Sequence, residues 1–371
     1  MFIFLHVLGA LFALAVILAG CELFTNAIEW LGRRYELSEG AVGSVFAAVG
    51  TALPETAVPL VALIWGKGPD QTDIGMGAIL GAPFMLATLG LALNGGAALF
   101  YMRKGRRETS ELRVSPHALR TDLLFFAPIY AAALLLGFGV PHWVRVVAAI
   151  VFLLAYATHV WIHMRRPYEG DESELERLHA GALGQWLTFG LENSSEETGE
   201  KKQLWHELEH IFLIGSYDPA APRTKLILLQ LIVSLALIVG GAKLFVMNLN
   251  VVALQLGVSA LMLSLVLTPI ATELPEKMNS VLWVRADKDT LALGNITGAM
   301  VFQSCIPVSI GLLLTPWRLE PRGMISAVVA LVASQIVQVW MMRRDRLSPW
   351  LLLLGLPLYV VWFVLATTVL K

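Results

Sequence analysis

Apolar residues run through this chain in blocks long enough to cross a bilayer, parted by short polar stretches. A window of about 20 apolar residues, the length a helix needs to traverse hydrocarbon, picks out ten spans at about 3–31, 40–66, 73–100, 121–140, 143–163, 224–247, 257–284, 289–315, 322–342 and 349–369. Backbone polar groups find no water in lipid, so blocks of this length are helices. One interval breaks the rhythm. Between 164 and 223 the chain turns polar, with 12 acidic and 6 basic residues over 165–223. The pattern predicts an all-α membrane protein of ten transmembrane helices, with one five-helix unit over 1–163, an acidic loop over 164–223 and a second five-helix unit over 224–371.

Composition agrees. Hydrophobic residues make up 57% of the 371 and charged residues 15%, against roughly 45–50% apolar content in soluble domains. This excludes a soluble enzyme or a nucleic-acid-binding protein and makes the lipid bilayer the principal partner. Cys21 and Cys305 both fall in apolar spans, where they read as small buried thiols. If loops alternate sides, one side collects Arg33, Arg34, the cluster from Arg103 to Arg120, Arg285, Lys288 and the run Arg343 to Arg346. The other holds Lys67, Arg145, Arg318, Arg322 and Lys371. The positive-inside bias then places both termini outside the cytoplasm, with the 164–223 loop within it.

The chain also repeats itself. Thr51-Ala52-Leu53-Pro54-Glu55 and Thr272-Glu273-Leu274-Pro275-Glu276 lie 221 positions apart. Gly20-Cys21-Glu22-Leu23-Phe24 matches Gly241-Ala242-Lys243-Leu244-Phe245 at the same spacing, and Gly77-Ala78-Ile79-Leu80-Gly81-Ala82 matches Gly294-Asn295-Ile296-Thr297-Gly298-Ala299 at 217. Five spans per unit make the second enter the membrane from the opposite side, giving an inverted-topology pair about an axis in the membrane plane. That axis brings Glu55 and Glu276 together near the midplane. A carboxylate there costs roughly 2.5–3.5 kcal/mol on insertion scales, and a neighbouring proline frees a backbone carbonyl. The combination suits a cation, because hard divalent ions take about six to eight oxygens from carboxylates, carbonyls and water. Two nearby carboxylates also repel, so one must bind a cation or a proton before the site closes, which favours obligatory exchange over leak.

In these residues the chain resembles the calcium/cation antiporter superfamily, of the sodium/calcium exchanger type found in prokaryotic membranes. The resemblance rests on Gly50-Thr51-Ala52-Leu53-Pro54-Glu55 with Gly81 and Phe84, and on Ala271-Thr272-Glu273-Leu274-Pro275-Glu276 with Gly294-Asn295 through Phe302-Gln303. It implies that Glu55 and Glu276 coordinate calcium and that Thr51 and Thr272 line the same cavity. It also implies that no cofactor is needed beyond the transported ions. This sequence departs from the family pattern at Ala52, Ala82 and Ala299, where serine is usual, at Leu86, where asparagine is usual, and at Gln303, a polar amide or acid position. The alanines and the leucine withdraw oxygens that serve sodium, whereas a proton needs only one carboxylate. The expected activity is calcium export against an inward monovalent cation, with a proton favoured over sodium. Sodium/proton or potassium/proton exchange on the same fold is the alternative.

Three features qualify the picture. Glu273 and Lys277 stand at i and i+4 with the acid first, the favoured order for a helical ion pair; otherwise Glu273 is a third cation or proton ligand. Glu22 and Lys243, symmetry-related, form a second candidate pair. His206-Glu207-Leu208-Glu209-His210 matches the H-E-x-x-H pattern, in which two imidazoles on one helix face hold zinc and the glutamate acts as base. It lies in the polar loop with no evident third ligand, so a solvated amphipathic helix or a regulatory metal site competes there with a membrane metalloprotease.

Overall fold

The structure, a computed structural model, describes residues 2–34, 52–66, 68–114, 116–164, 224–257, 260–344 and 346–368. These residues are almost entirely helical. The elements are α1 (Phe2–Arg34), α2 (Leu53–Trp65), α3 (Pro69–Met85), a π-helical turn (Leu86–Gly90), α4 (Leu91–Arg103), β1 (Leu112–Arg113), α5 (Pro116–Leu136) and α6 (His142–Met164). After the 164–223 interval follow α7 (Thr224–Leu256), α8 (Ala260–Thr272), α9 (Leu274–Arg285), α10 (Asp289–Leu314), α11 (Pro321–Met341), β2 (Arg346–Leu347), α12 (Pro349–Leu353) and α13 (Gly355–Thr368).

Eight described stretches are long and apolar enough to cross a membrane. They coincide with eight of the ten predicted spans. The other two predicted spans are those that carry Leu-Pro-Glu. Over 257–284 the chain forms two helices, α8 and α9, parted at Glu273, and within 40–66 the described helix α2 starts only at Leu53. Of the predicted 164–223 loop, Met164 is the last residue of α6, and 165–223, with His206, Glu207 and His210, lie outside the described residues.

The longest helices, α1 and α7, are 33 residues each and pack against one another. Their contacts rise along one helix as they fall along the other, so they run antiparallel. A Cβ on Gly20 would stand 2.9 Å from Ile238 Cγ1, and one on Gly241 would stand 2.8 Å from Ile17 Cγ1. The same contact thus occurs twice with the partners exchanged 221 positions along, the reciprocity a two-fold relation produces. Glu22 and Lys243 are exposed on these helices.

Behind this pair, α3 lies against α8, and glycine makes the approach possible. Cβ atoms on Gly77 and Gly81 would fall 2.7 Å from the carbonyl oxygens of Leu261 and Leu265. Close backbone contact of this kind is how helices associate in lipid, where no hydrophobic drive separates protein from solvent. Ser264 adds a hydrogen bond from its hydroxyl to Ile74 O at 2.7 Å. The main core, with Phe84, Phe126, Tyr130, Trp317 and Trp362 fully buried, fills the space around α3 to α6 and α10 to α13. A smaller cluster joins α1, α2, α3 and α7. Large apolar side chains on the outer faces of α6 and α7, such as Leu154 and Ile232, are exposed, as suits lipid-facing helices.

One membrane face is tied by a polar knot. Arg107, in the loop after α4, grips Asp289 at the start of α10 with Nη1 to Oδ1 at 2.7 Å and Nη2 to Oδ2 at 2.8 Å. The Arg113 amide donates to Asp289 Oδ2 at 2.8 Å, and β1 pairs antiparallel with β2 beside it. Burial works against the guanidinium's charge, but Asp289 and Asp287 together hold its pKa above the ordinary arginine value.

Candidate cation site

The repeated string builds the same backbone device twice. Ala52 precedes α2 at φ −87°, ψ 4°, and Glu273, 221 positions on, precedes α9 at φ −86°, ψ 9°. Both helices carry proline in the first turn, where a missing N–H costs nothing because those donors have no helical partner. The cost falls on the preceding segment. Pro275 cannot donate to the carbonyl four residues back, so α8 ends at Thr272 and a new helix begins. The α8 ladder closes with the Glu273 amide on Pro269 O, and the α9 ladder opens with the Lys277 amide on Glu273 O, both at 3.1 Å. The positive N-terminal ends of α2 and α9 thus start from buried residues, each next to an acidic side chain.

Glu55 occupies the first turn of α2 and is 2% exposed. It lies beside Thr272, Glu273 and Lys277 at the α8–α9 junction, close enough for their groups to act on its carboxylate. The Thr272 hydroxyl nonetheless donates to Thr268 O at 3.0 Å, and neither Glu55 oxygen has a hydrogen-bond partner among the described residues. Glu273 is fully buried, and Lys277 Nζ stands 3.0 Å from its Oε2. That contact is an ion pair whose angles make no hydrogen bond, so both Glu273 oxygens also remain unsatisfied in that sense. Two carboxylates therefore share one lysine. Lys277 offsets Glu273, and Glu55 has no counter-charge of its own among the described residues.

On α10, which packs against α2, Gln303 is fully buried with both amide atoms unpartnered among the described residues. Its counterpart Leu86 begins the π-helical turn between α3 and α4, a distortion common near functional sites. Ala52, Ala82, Leu86 and Ala299 are all buried, so methyl groups occupy the positions flagged for missing oxygens. Glu276 lies in α9, but its side chain, like all of Thr51, is outside what the structure describes.

One polar cluster escaped the sequence reading. Asp122 of α5 meets His159 and His163 of α6, with Nε2 to Oδ1 distances of 2.9 and 3.0 Å, and Thr297 of α10 donates to Asp122 Oδ2 at 2.6 Å. The i, i+4 histidines in a predicted span were visible as a signal. Their partner, 37 residues earlier in another span, was not.

A family model for sodium/calcium exchanger proteins matches residues 5–165 and 226–368. The chain belongs to the sodium/calcium exchanger protein family. The gap in the match coincides with the polar interval between α6 and α7. Among relatives, the chain is 24% identical to the inner membrane protein YrbG of Escherichia coli over 311 residues, covering 83% of this chain and 79% of that one. It is 28% identical to the putative antiporter CaxA of Alkalimonas amylolytica over 132 residues, 34% of this chain and 41% of that one. Among solved structures, the H+/Ca2+ exchanger CAX superposes with a TM-score of 0.68 at 13% identity, covering 97% of this chain and 81% of that one. The sodium-calcium exchanger NCX_Mj superposes at 0.56 and 18% identity, covering 98% and 99%. At these identities the two structures speak for a shared fold.

Proposed function

We propose that this protein is a secondary antiporter that exports calcium in exchange for a monovalent cation, by alternating access to a site centred on Glu55 and Glu276. The observation that carries the reading is the Glu55 carboxylate, buried in the first turn of an apolar helix with both oxygens unpartnered among the described residues. An uncompensated charge in that position is costly, and a bound cation or proton removes the cost. Membership of the sodium/calcium exchanger family supports cation antiport.

The architecture supports alternating access. We read it as ten spans in two inverted five-helix repeats, with both termini outside the cytoplasm. The matched backbone angles and helix starts at Ala52 and Glu273 and the reciprocal α1–α7 contacts support that reading. Half-helix ends facing a midplane site are the recurrent means by which such transporters hold ions. In this reading Glu55 and Glu276 supply the calcium carboxylates. Thr51, Thr272 and Gln303 contribute oxygens, and Glu273 stays near the site, held by Lys277.

A proton is favoured over sodium as the driving ion. The buried methyl groups of Ala52, Ala82 and Ala299 and the leucine at 86 offer no oxygens, and a hard monovalent cation needs several, by analogy with calcium. Lys277 further occupies cation space beside Glu273. The test is labelled calcium uptake into inside-out vesicles under separate pH and sodium gradients. Uptake should follow the pH gradient and respond weakly to sodium. Uptake that saturates with sodium and ignores pH would reverse the assignment of the driving ion, and absence of calcium flux under either gradient would shift the reading to sodium/proton or potassium/proton exchange.

A further inference from the structure

Away from the central site, Asp122, His159 and His163 bring a carboxylate and two imidazoles together with their ligand atoms all within 4.8 Å of one another. Asp122 and His159 are buried, and His163 is about one-fifth exposed, so the group is reachable from the membrane face where α5 begins and α6 ends. The histidines are one helical turn apart on α6, with ring centroids 4.5 Å apart, the spacing that presents two imidazoles on one helix face. Two ligands bonded at about 2.1 Å to a single ion and set tetrahedrally, as zinc prefers, lie about 3.4 Å apart. The observed Nε2 to Oδ1 distances of 2.9 and 3.0 Å are hydrogen-bond lengths, about 0.4–0.5 Å short of that separation, so small side-chain shifts would admit an ion. Thr297 donates to the other carboxylate oxygen, the outer contact that fixes a ligating carboxylate's orientation. Asp122 has no lysine or arginine partner among the described residues, only these imidazoles. A divalent cation would give the Asp122 carboxylate a counter-charge and take both imidazoles as ligands.

We propose that Asp122, His159 and His163 form a binding site for a divalent transition-metal ion of the zinc class, positioned by Thr297. The nitrogen ligands select against calcium, a hard ion that prefers oxygen, and for zinc, cobalt, nickel or copper. Because Thr297 stands on α10, which also carries Gln303, an ion here would couple α5 and α6 to a helix of the central site.

The test uses the untagged full-length protein with His206→Ala and His210→Ala, which removes the competing loop motif, and cobalt(II) as probe. One equivalent of cobalt should bind with visible ligand-field bands and be displaced by zinc. Glu55→Gln should retain those bands. His163→Gln should lose them, and Thr297→Val should weaken binding about 10- to 100-fold. Copper(II)-loaded parent protein should show spin coupling to two imidazoles by pulsed electron paramagnetic resonance, a readout independent of whether any variant folds. Absence of stoichiometric cobalt binding in the parent, or bands and two-imidazole coupling that survive in a monodisperse His163→Gln protein, would overturn the proposal and leave the cluster as a hydrogen-bonded knot.

Discussion

At the residue scale, Glu273 and Lys277 separate charge balance from ion binding. With Nζ 3.0 Å from Oε2 and both residues buried, removing either one strands the other's charge, a loss of about 3–5 kcal/mol for a buried pair. We expect Glu273→Ala and Lys277→Ala each to lower thermal stability and transport sharply, and the double replacement to recover part of both. A double variant no better than Glu273→Ala alone would make Glu273 a direct cation or proton ligand. The pair was legible in the sequence from its i, i+4 spacing, because a helix fixes that geometry locally. The approach of Glu55 to the same junction depends on how separate helices pack. The repeat suggested it through Glu276, while the described contacts run to Thr272, Glu273 and Lys277.

At the element scale, hydropathy marked the spans well because lipid imposes one length and one polarity on each. It did not show where a span breaks. Pro54 and Pro275 marked the helix starts chemically, yet the N-cap residues Ala52 and Glu273 and the break at Glu273 emerge only from the backbone. The Asp122–His159–His163 cluster was hidden for a related reason, since its residues converge only when α5 and α6 pack. Glycine contacts are another packing property. A methyl on Gly81 would sit 2.7 Å from Leu265 O and 2.8 Å from Pro269 Cγ, and neither a helix carbonyl nor a proline ring can move aside cheaply. Gly81→Ala should therefore separate α3 from α8 next to the site, lowering the melting temperature and calcium flux together. Gly96, around which a Cβ meets nothing within 4 Å, is the control: Gly96→Ala should leave both unchanged.

At the scale of the whole molecule, the Arg107–Asp289 knot fastens the loop after α4 to the start of α10, 182 positions further along the chain. Arg107→Met should destabilise by about 3–5 kcal/mol, since it leaves Asp289 buried without its bidentate partner; calorimetric or denaturant unfolding measures it. The loop after α4 is arginine-rich, so a thiol introduced as Lys104→Cys should react with a membrane-impermeant reagent in inside-out vesicles and not in intact cells. The reverse labelling pattern would invert the orientation. The central claim, that Glu55 carries the transported cation, is tested most directly by labelled calcium flux in proteoliposomes reconstituted with wild-type protein or with Glu55→Gln, which removes the charge and keeps the shape. The account predicts gradient-driven calcium flux in the wild type and flux at the protein-free level in a folded Glu55→Gln protein; undiminished calcium flux through Glu55→Gln would contradict it.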